Sequence, residues 1–195
     1  MALNGLSNSL RPLDEELPES PQLRRAGVLA LIDPHSDSLP LLLLRRNPQL
    51  RDHPGQIGLP GGAHETADGP LWQTALREAR EELGVPPAKV HLLGYAPEVR
   101  VRHTGFLIAP VVGTALSRFE VTIAAEEVDG YFWMPLRGPA GIVTIETRPV
   151  TTHLGELRVP GYLYQGHFVW GATGIIVDDL RRRLGEQVAG APPTT

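Results

Sequence analysis

The sequence predicts an α/β domain of the α+β type, in which a mixed β-sheet packs between α-helices. Two observations support this fold class. Several short apolar runs are separated by turn-forming residues, as strands are, and two longer segments have the apolar spacing of helices. A chain of 195 residues is long enough for one domain with a sizeable core. A few helices interspersed among strands are expected to cover the faces of one sheet.

The predicted strands are short apolar runs bounded by turn residues, at 26–32, 39–45, 90–95, 106–113 and 131–134. The first two are joined through the turn-forming residues 33–36. The first predicted helix spans 71–83, because Pro70 suits the start of a helix and Gly84 suits its end. The second predicted helix spans 171–184 and ends in three arginines, which favour the negative carboxyl end of a helix.

One folded domain, at 22–185, is expected between two tails. Residues 1–21 are polar and contain several prolines, which predicts an N-terminal arm, and residues 186–195 predict a flexible C-terminal tail. The first twenty residues have no basic start before an apolar core, and the apolar run at 40–44 is far too short to span a bilayer. We therefore expect a cytoplasmic protein without a membrane partner.

Composition excludes several classes of site and partner. The chain contains no cysteine, which rules out disulfides, a thiolate nucleophile and cysteine-ligated metal sites. Its formal net charge of −4 argues against a nucleic-acid partner bound through a broad basic surface. An anionic substrate would therefore need local attraction, from a few arginines or from a bound metal ion.

The acidic residues of the first predicted helix are candidates for a metal site. Glu78, Glu81 and Glu82 are three and four positions apart, which places them on one largely exposed arc beside the apolar face. Carboxylates held so close repel one another, whereas Mg²⁺ and Mn²⁺ prefer oxygen ligands of this kind. The alternative interpretation is a solvated acidic face that is salt-bridged through Arg77 and Arg80.

The glycines before this helix favour the metal interpretation. Pro60-Gly61-Gly62 permits unusual backbone angles and close approach of a ligand or metal ion to a carbonyl group. The segment 77–85, REAREELGV, resembles the second half of the Nudix box, GX5EX7REUXEEXGU, in which U is apolar. The first half differs, because Asp68 replaces Glu and eight residues instead of seven separate it from Arg77.

The upstream segment 42–62 resembles LLTXRSX3RX3GX3FPGG, the signature of the coenzyme A pyrophosphatase branch of the Nudix hydrolases. Both arginines of that signature, Arg46 and Arg51, have the expected spacing, as do its first glycine and its Pro-Gly-Gly triplet. Leu, Asn and Leu stand where the signature has Thr, Ser and Phe. The two resemblances together cover 42–85, less than a quarter of the chain.

The resemblance implies the Nudix fold and a diphosphatase that uses Mg²⁺ or Mn²⁺ and acts on a small molecule. Coenzyme A or a derivative would be cleaved to 4′-phosphopantetheine, or its acyl form, and adenosine 3′,5′-bisphosphate. The implied metal ligands are the Gly62 carbonyl, Glu78, Glu81 and Glu82. The implied catalytic residues are Arg77, Glu78, Glu81 and Glu127. The implied substrate-binding residues are Arg46, Arg51, His53 and Gly61.

Several roles stay open at this point. One glutamate of the cluster is a candidate for the general base instead of a metal ligand, and the base is left unassigned. Arg77 either contacts phosphate or orients the acids. Glu127 is equally well explained as a surface glutamate without a catalytic role. The alternatives for the other residues are ordinary surface arginines at Arg46 and Arg51 and a turn residue at His53.

Two other functions are compatible with the same residues. One is a Nudix hydrolase for another substrate, such as ADP-ribose or a dinucleoside polyphosphate, and the upstream arginines favour coenzyme A over it. The other is a catalytically silent Nudix-fold binding module, against which the complete set of three helix glutamates argues. A homodimer formed through the N-terminal arm or a sheet edge is also compatible with the sequence.

Overall fold

The computed structural model describes residues 2–17, 22–101, 104–139, 142–152 and 155–186. Part of the predicted arm and all of the predicted tail except Glu186 lie outside the described residues. The helices are α1 (Ala2–Ser7), α2 (Leu71–Leu83) and α3 (Gly171–Arg183), with a short 3₁₀ turn at Pro87–Lys89. The strands are β1 (Arg24–Ile32), β2 (Pro40–Arg46), β3 (Ile57–Gly58), β4 (Gly61–Ala63), β5 (Val90–Tyr95), β6 (Val99–Val101), β7 (Phe106–Ala115), β8 (Val128–Pro135), β9 (Thr144–Thr152), β10 (Gly155–Tyr164) and β11 (His167–Trp170).

The main sheet contains eight strands and is mixed, as the sequence predicts. Five of its strands follow the order β3-β2-β1-β7-β5, while β4 pairs with β1, β6 with β7 and β8 with β2. The β1–β7 pair is parallel, from Arg24 opposite Phe106 to Ile32 opposite Thr114. The other pairs are antiparallel. The β1–β4 pair brings Gly61 and Gly62 into the sheet beside the start of α2.

Helices cover the two faces of this sheet, and alternate residues of β1 and β2 supply the two cores. The core beneath α2 includes Leu29, Leu31, Leu42 and Leu44. The core beneath α3 includes Ala30, Ile32, Leu41 and Leu43. Because both faces are buried, these strands have continuous apolar sequences rather than an apolar–polar alternation. The predicted helix-covered mixed sheet is confirmed.

A second, antiparallel sheet of three strands has the order β11-β10-β9 and leads into α3. The apolar-run analysis did not predict these strands. Most side chains of β9 alternate between half-buried and exposed, and the first four residues of β10 are exposed. Strand β11 continues directly into α3 at Gly171. The second sheet is therefore connected to the helix that packs on one face of the main sheet.

The N-terminal segment contacts the domain. Leu6 of α1 is completely buried in the core beneath α3, and the Arg183 guanidinium donates a hydrogen bond to the Ser9 carbonyl at 2.5 Å. Arg11 and Tyr95 exchange two backbone hydrogen bonds of 2.8 and 3.0 Å, as an isolated β-bridge does. The described part of the predicted arm is thus docked on the domain. No helix among the described residues is long and apolar enough to cross a membrane.

Candidate active site

The candidate site lies where the glycine-containing strand β4 meets the acidic side of α2. Pro70 precedes the helix, and Gly84 ends it in the left-handed region, at φ 64°. Ala75, Ala79 and Leu83 are fully buried against the sheet, which fixes the rotation of the helix about its axis. That rotation turns the glutamates at the edge of the apolar face toward β4.

Glu82 is buried, with only 3% of its side chain exposed, so the expectation of a largely exposed acidic arc is wrong for this residue. One carboxylate oxygen accepts a hydrogen bond from the Gly61 amide at 2.9 Å, and the other lies 4.0 Å from a terminal nitrogen of Arg46. Burial raises the pKa of Glu82 to about 8, and the charges of Glu78 and Glu127 add to the shift. The site therefore holds a carboxylate whose negative charge is poorly compensated.

Glu78 lies one helical turn before Glu82 and has 16% of its side chain exposed. Its carboxylate lies against Gly62, where a β-carbon would be only 2.5 Å from it. Burial raises the pKa of Glu78, although Arg77, at 3.0 Å, lowers it in part. The structure thus brings Glu78, Glu82 and the Gly61–Gly62 backbone together, as the sequence predicts.

Glu81 lies at the exposed edge of this group, where it shares one Arg77 nitrogen with Glu78. Its side chain is 58% exposed and accepts a hydrogen bond from Arg77 at 2.9 Å. Part of the acidic arc is therefore salt-bridged through Arg77, as in the alternative interpretation of the helix. The predicted roles of Glu81 as a metal ligand and as a catalytic residue stay predictions.

Glu127 is placed beside the two inner carboxylates by the loop that joins β7 to β8. The Ala124 amide in that loop donates to the Glu82 carbonyl at 2.9 Å, and the Asn47 amide donates to the Glu127 carbonyl at 2.8 Å. Its charge is near enough to raise the pKa of Glu78 and Glu82. Glu127 is itself exposed, and its predicted catalytic role stays a prediction.

Arg77 is held by acceptors of the protein itself. Asp68 receives two hydrogen bonds from it, at 2.9 and 3.0 Å, and the Ala63 carbonyl receives one at 3.3 Å. Its remaining terminal nitrogen contacts Glu78 and Glu81 at 3.0 and 2.9 Å. The guanidinium thus donates four hydrogen bonds to protein acceptors and forms an ion pair with Glu78, which favours orientation of the acids over phosphate contact.

The sequence analysis did not select Asp68 as a site residue. Its carboxylate is 7% exposed and also accepts hydrogen bonds from the Thr74 hydroxyl at 2.9 Å and the Glu65 amide at 3.1 Å. The Arg77 hydrogen bonds hold the pKa of Asp68 well below its usual range. The signal that could have identified Asp68 was its position in the first half of the Nudix box. The residue inserted between Asp68 and Arg77 does not prevent their contact.

The predicted substrate-binding residues line two adjoining cavities. The inner cavity, of about 380 Å³, includes Arg46, Gly61 and Gly62 in its wall. The outer cavity, of about 480 Å³, includes Arg51. His53 lies in the wall of both cavities, has a φ of 57° and shares a 2.9 Å hydrogen bond with Gln56. A larger cavity of about 750 Å³, beside the start of α2, contains none of the predicted site residues.

Comparison with known proteins identifies the family. Residues 21–152, more than half of the chain, match the NUDIX domain. The chain belongs to the Nudix family. An uncharacterized Nudix hydrolase NudL from Pectobacterium atrosepticum is 35% identical over 182 residues, which are 93% of this chain and 90% of that protein. Another from Klebsiella pneumoniae is 37% identical over 145 residues, 74% of this chain and 75% of that protein.

Two solved structures share the Nudix fold with this chain. A MutT/nudix family protein from Enterococcus faecalis has a TM-score of 0.54 and 17% identity, over 88% of this chain and 66% of that one. An Ap4A hydrolase from C. elegans has a TM-score of 0.50 and 16% identity, over 58% of this chain and 81% of that one. Membership of the Nudix hydrolases makes the chain a diphosphatase of nucleoside diphosphate derivatives.

The donor set of this Nudix site fits a hard divalent cation. Nudix hydrolases generally use ions such as Mg²⁺ or Mn²⁺. Glu78 and Glu82 offer carboxylate oxygens that burial has withdrawn from water, and a cation would offset their repulsion. Among the described side chains, no three His, Asp or Glu groups converge closely enough to form a metal site by themselves. We expect the buried Glu82 and the half-buried Glu78 to hold the ion with oxygens from backbone or water.

Replacing Asp68 by Asn is expected to lower the free energy of unfolding at pH 7 by about 2 kcal/mol, because charge-assisted hydrogen bonds to Arg77 are lost. Because the folded pKa of Asp68 is depressed, its contribution is full above the unfolded pKa of about 4 and is lost as pH falls below it. Urea unfolding of both proteins at pH 7 and about pH 3 should therefore show the difference shrinking in acid.

Asp37→Asn is the matched control for this prediction, since Asp37 is exposed. It should change stability by less than about 0.5 kcal/mol at either pH. A loss for Asp68→Asn that is equally large at both pH values would contradict the electrostatic explanation.

Proposed function

We propose that this Nudix hydrolase cleaves the diphosphate of coenzyme A or its derivatives. The observation that carries the proposal is the placement of the two upstream arginines on adjoining cavities, the inner of which includes the Gly61–Gly62 backbone beside Glu82 and Glu78. Arg46 lies at the inner end, 4.0 Å from Glu82, and Arg51 lies at the outer end. The segment that supplies both arginines resembles the coenzyme A pyrophosphatase signature. An elongated substrate with its diphosphate at the acids fits this arrangement.

Arg46 is suited to the diphosphate. Its Nε atom is buried and has no hydrogen-bond partner in the described part of the structure. A guanidinium N–H that lacks an acceptor can donate to a phosphate oxygen, and the cavity beside it leads to the Gly61–Gly62 backbone. The inner cavity also has apolar walls, including Val28, Leu59 and Ile108, which suit an uncharged portion of the substrate.

The proposed reaction is a hydrolysis. The oxygen of a water molecule bonds to one phosphorus of the diphosphate, and the bond from that phosphorus to the bridging oxygen breaks. A carboxylate of the cluster accepts the proton of the water, and Arg77 keeps the carboxylates in position. A bound Mg²⁺ or Mn²⁺ would neutralise phosphate charge and acidify the water. The products are 4′-phosphopantetheine, or its acyl form, and adenosine 3′,5′-bisphosphate.

The test is to incubate the purified protein with coenzyme A and with Mg²⁺, Mn²⁺ or a chelator, and to separate the products by chromatography. We expect adenosine 3′,5′-bisphosphate to appear only when a divalent ion is present. Failure to cleave coenzyme A or an acyl derivative with either ion would overturn the proposal. The same assay with ADP-ribose and diadenosine polyphosphates then separates a different Nudix substrate from a silent binding module.

A further inference from the structure

Two arginines from distant parts of the sequence line the outer cavity. Arg24 begins β1, and Arg51 lies in the segment between β2 and β3. The sequence analysis selected Arg51 and did not select Arg24. The pairing of β1 with β7 places Arg24 opposite Phe106, which lies in the wall of the same cavity. The fold thus creates a basic pair that neither segment predicts alone.

Within the described residues, most hydrogen-bond donors of the Arg24 guanidinium have no protein acceptor. Its guanidinium carbon lies 4.1 Å from the centre of the Phe106 ring, and one terminal nitrogen donates to the Thr104 carbonyl at 3.4 Å. Neither Arg24 nor Arg51 forms an ion pair with a carboxylate in the described ranges. Asp52 also lines the cavity, so the described lining residues carry a formal net charge of +1, with histidine counted as neutral. A guanidinium group with free donors can donate two parallel hydrogen bonds to two oxygens of one phosphate.

The outer cavity adjoins the inner one. The residues that line both are Asp52, His53, Gln56, Thr104, Phe106 and Trp170. Arg46 and the glycine backbone belong only to the inner cavity, whereas Arg24 and Arg51 belong only to the outer one. The cleft therefore has two separate cationic positions, one beside the acids and one away from them.

We infer that Arg24, together with Arg51, binds a phosphate group that the substrate carries outside its diphosphate. The inference rests on the proposed function and deepens it. The ligand it selects is a nucleoside diphosphate derivative with a phosphomonoester on its ribose. Coenzyme A carries such a group at the 3′ position, whereas ADP-ribose and dephospho-coenzyme A do not. Arg24 is thus a specificity residue that acts on the extra phosphate and leaves the chemical step unchanged.

The kinetic test compares coenzyme A with dephospho-coenzyme A in the wild-type protein and in Arg24→Ala. We expect the KM for coenzyme A to rise about tenfold in the variant, with kcat unchanged. The KM for dephospho-coenzyme A should stay the same, and Arg24→Lys should recover part of the difference. Arg148→Ala is the control, because Arg148 also lies over a phenylalanine ring, 5.5 Å from Phe168, but lines neither cavity.

A binding measurement tests the inference without turnover. Calorimetric titration should show that the wild-type protein binds adenosine 3′,5′-bisphosphate more tightly than adenosine 5′-monophosphate, and that Arg24→Ala and Arg51→Ala each reduce this ratio. Because the ratio is taken within one protein, a general loss of stability does not imitate the result. An equal affinity for both nucleotides in the wild-type protein, or an unchanged ratio in Arg24→Ala, overturns the inference. Coenzyme A hydrolysis is measured separately. Failure of this inference is therefore distinguishable from failure of the proposed function.

Discussion

Replacing Glu82 by Gln is expected to reduce kcat on the order of 1,000-fold while the protein stays folded. Gln has the same shape as Glu and keeps an oxygen that can accept the Gly61 amide hydrogen bond. The variant loses the negative charge at the most buried carboxylate of the site. It should therefore lose both its affinity for Mn²⁺ and its catalytic rate, which manganese titration and steady-state kinetics measure separately.

The stability of Glu82→Gln, unlike its activity, should stay the same or increase. Burial, together with the charges of Glu78 and Glu127, raises the pKa of Glu82 to about 8. The folded, metal-free protein must therefore either carry an unfavourable buried charge at neutral pH or take up a proton to remove it. Removing this charge should leave the melting temperature unchanged or raise it in the absence of divalent ions. Added Mg²⁺ or Mn²⁺ should then stabilise the wild-type protein more than the variant, because binding to the folded state raises stability.

Glu126→Gln is the matched control for Glu82→Gln. Glu126 is an exposed acid on the loop that carries Glu127, so its replacement removes the same charge outside the site. We expect wild-type kinetics from it. A Glu82→Gln protein with wild-type activity, or one that is unfolded near room temperature, would contradict the assigned role of Glu82.

The sequence predicted the main sheet because its central strands have strong local signals. Within the run at 39–45, Leu41–Leu44 is buried on both faces of the sheet, so its apolar side chains are unbroken by polar ones. The α2 prediction succeeded because Pro70 and Gly84 mark its two ends and its apolar spacing is helical. The predicted 90–95 strand has the bounds of β5.

The elements that were missed lack such signals. Strand β4 contains only Gly61, Gly62 and Ala63, which have low intrinsic preference for strands, and its pairing with β1 is a tertiary effect. Strands β9 and β10 form a partly exposed hairpin, so their sequences are polar and contain a proline each. Apolar runs identify strands that cross a core and not strands that extend beyond it.

The sequence predicted the residues of the candidate site more fully than their spatial arrangement. The spacing predicted Glu78, Glu81 and Glu82 on one arc of α2. Glu78 and Glu82 lie against Gly62 and Gly61, whereas Glu81 is exposed and bonded to Arg77. The burial of Glu82 could not be predicted from a helical projection, because the group that covers it, the Gly61 amide, belongs to a strand that the sequence does not reveal. Arg24 likewise reaches the cleft only through the long-range β1–β7 pairing.

Replacing Gly62 by Ala is expected to lower kcat/KM about 100-fold with little effect on stability. A β-carbon at this position would lie 2.5 Å from the Glu78 carboxyl carbon and from one of its oxygens. These atoms are the end of a flexible side chain, so Glu78 can move away at low cost. The change in the free energy of unfolding should be below about 1 kcal/mol, as urea unfolding would measure.

Gly61→Ala is the comparison that separates displacement of a functional group from damage to the fold. Its β-carbon would lie 2.5 Å from the Gly27 carbonyl oxygen and from the Val28 α-carbon, which are backbone atoms, and Gly61 has a φ of 155°. The sheet must distort to accept it, at about 3 kcal/mol. If Gly62→Ala destabilises the protein as strongly as Gly61→Ala, its loss of activity carries no information about Glu78.

A double-mutant cycle identifies the route by which Gly62→Ala acts. If the methyl group works only by displacing the Glu78 carboxylate, it can remove nothing more once that charge is absent. Gly62→Ala should therefore lower kcat/KM about 100-fold in the wild-type background and less than about twofold in the Glu78→Gln background. Equal losses in both backgrounds would mean that the Gly62 backbone itself contacts the substrate or metal ion. Its function would then depend on its carbonyl or amide, and Glu78 would act independently of it.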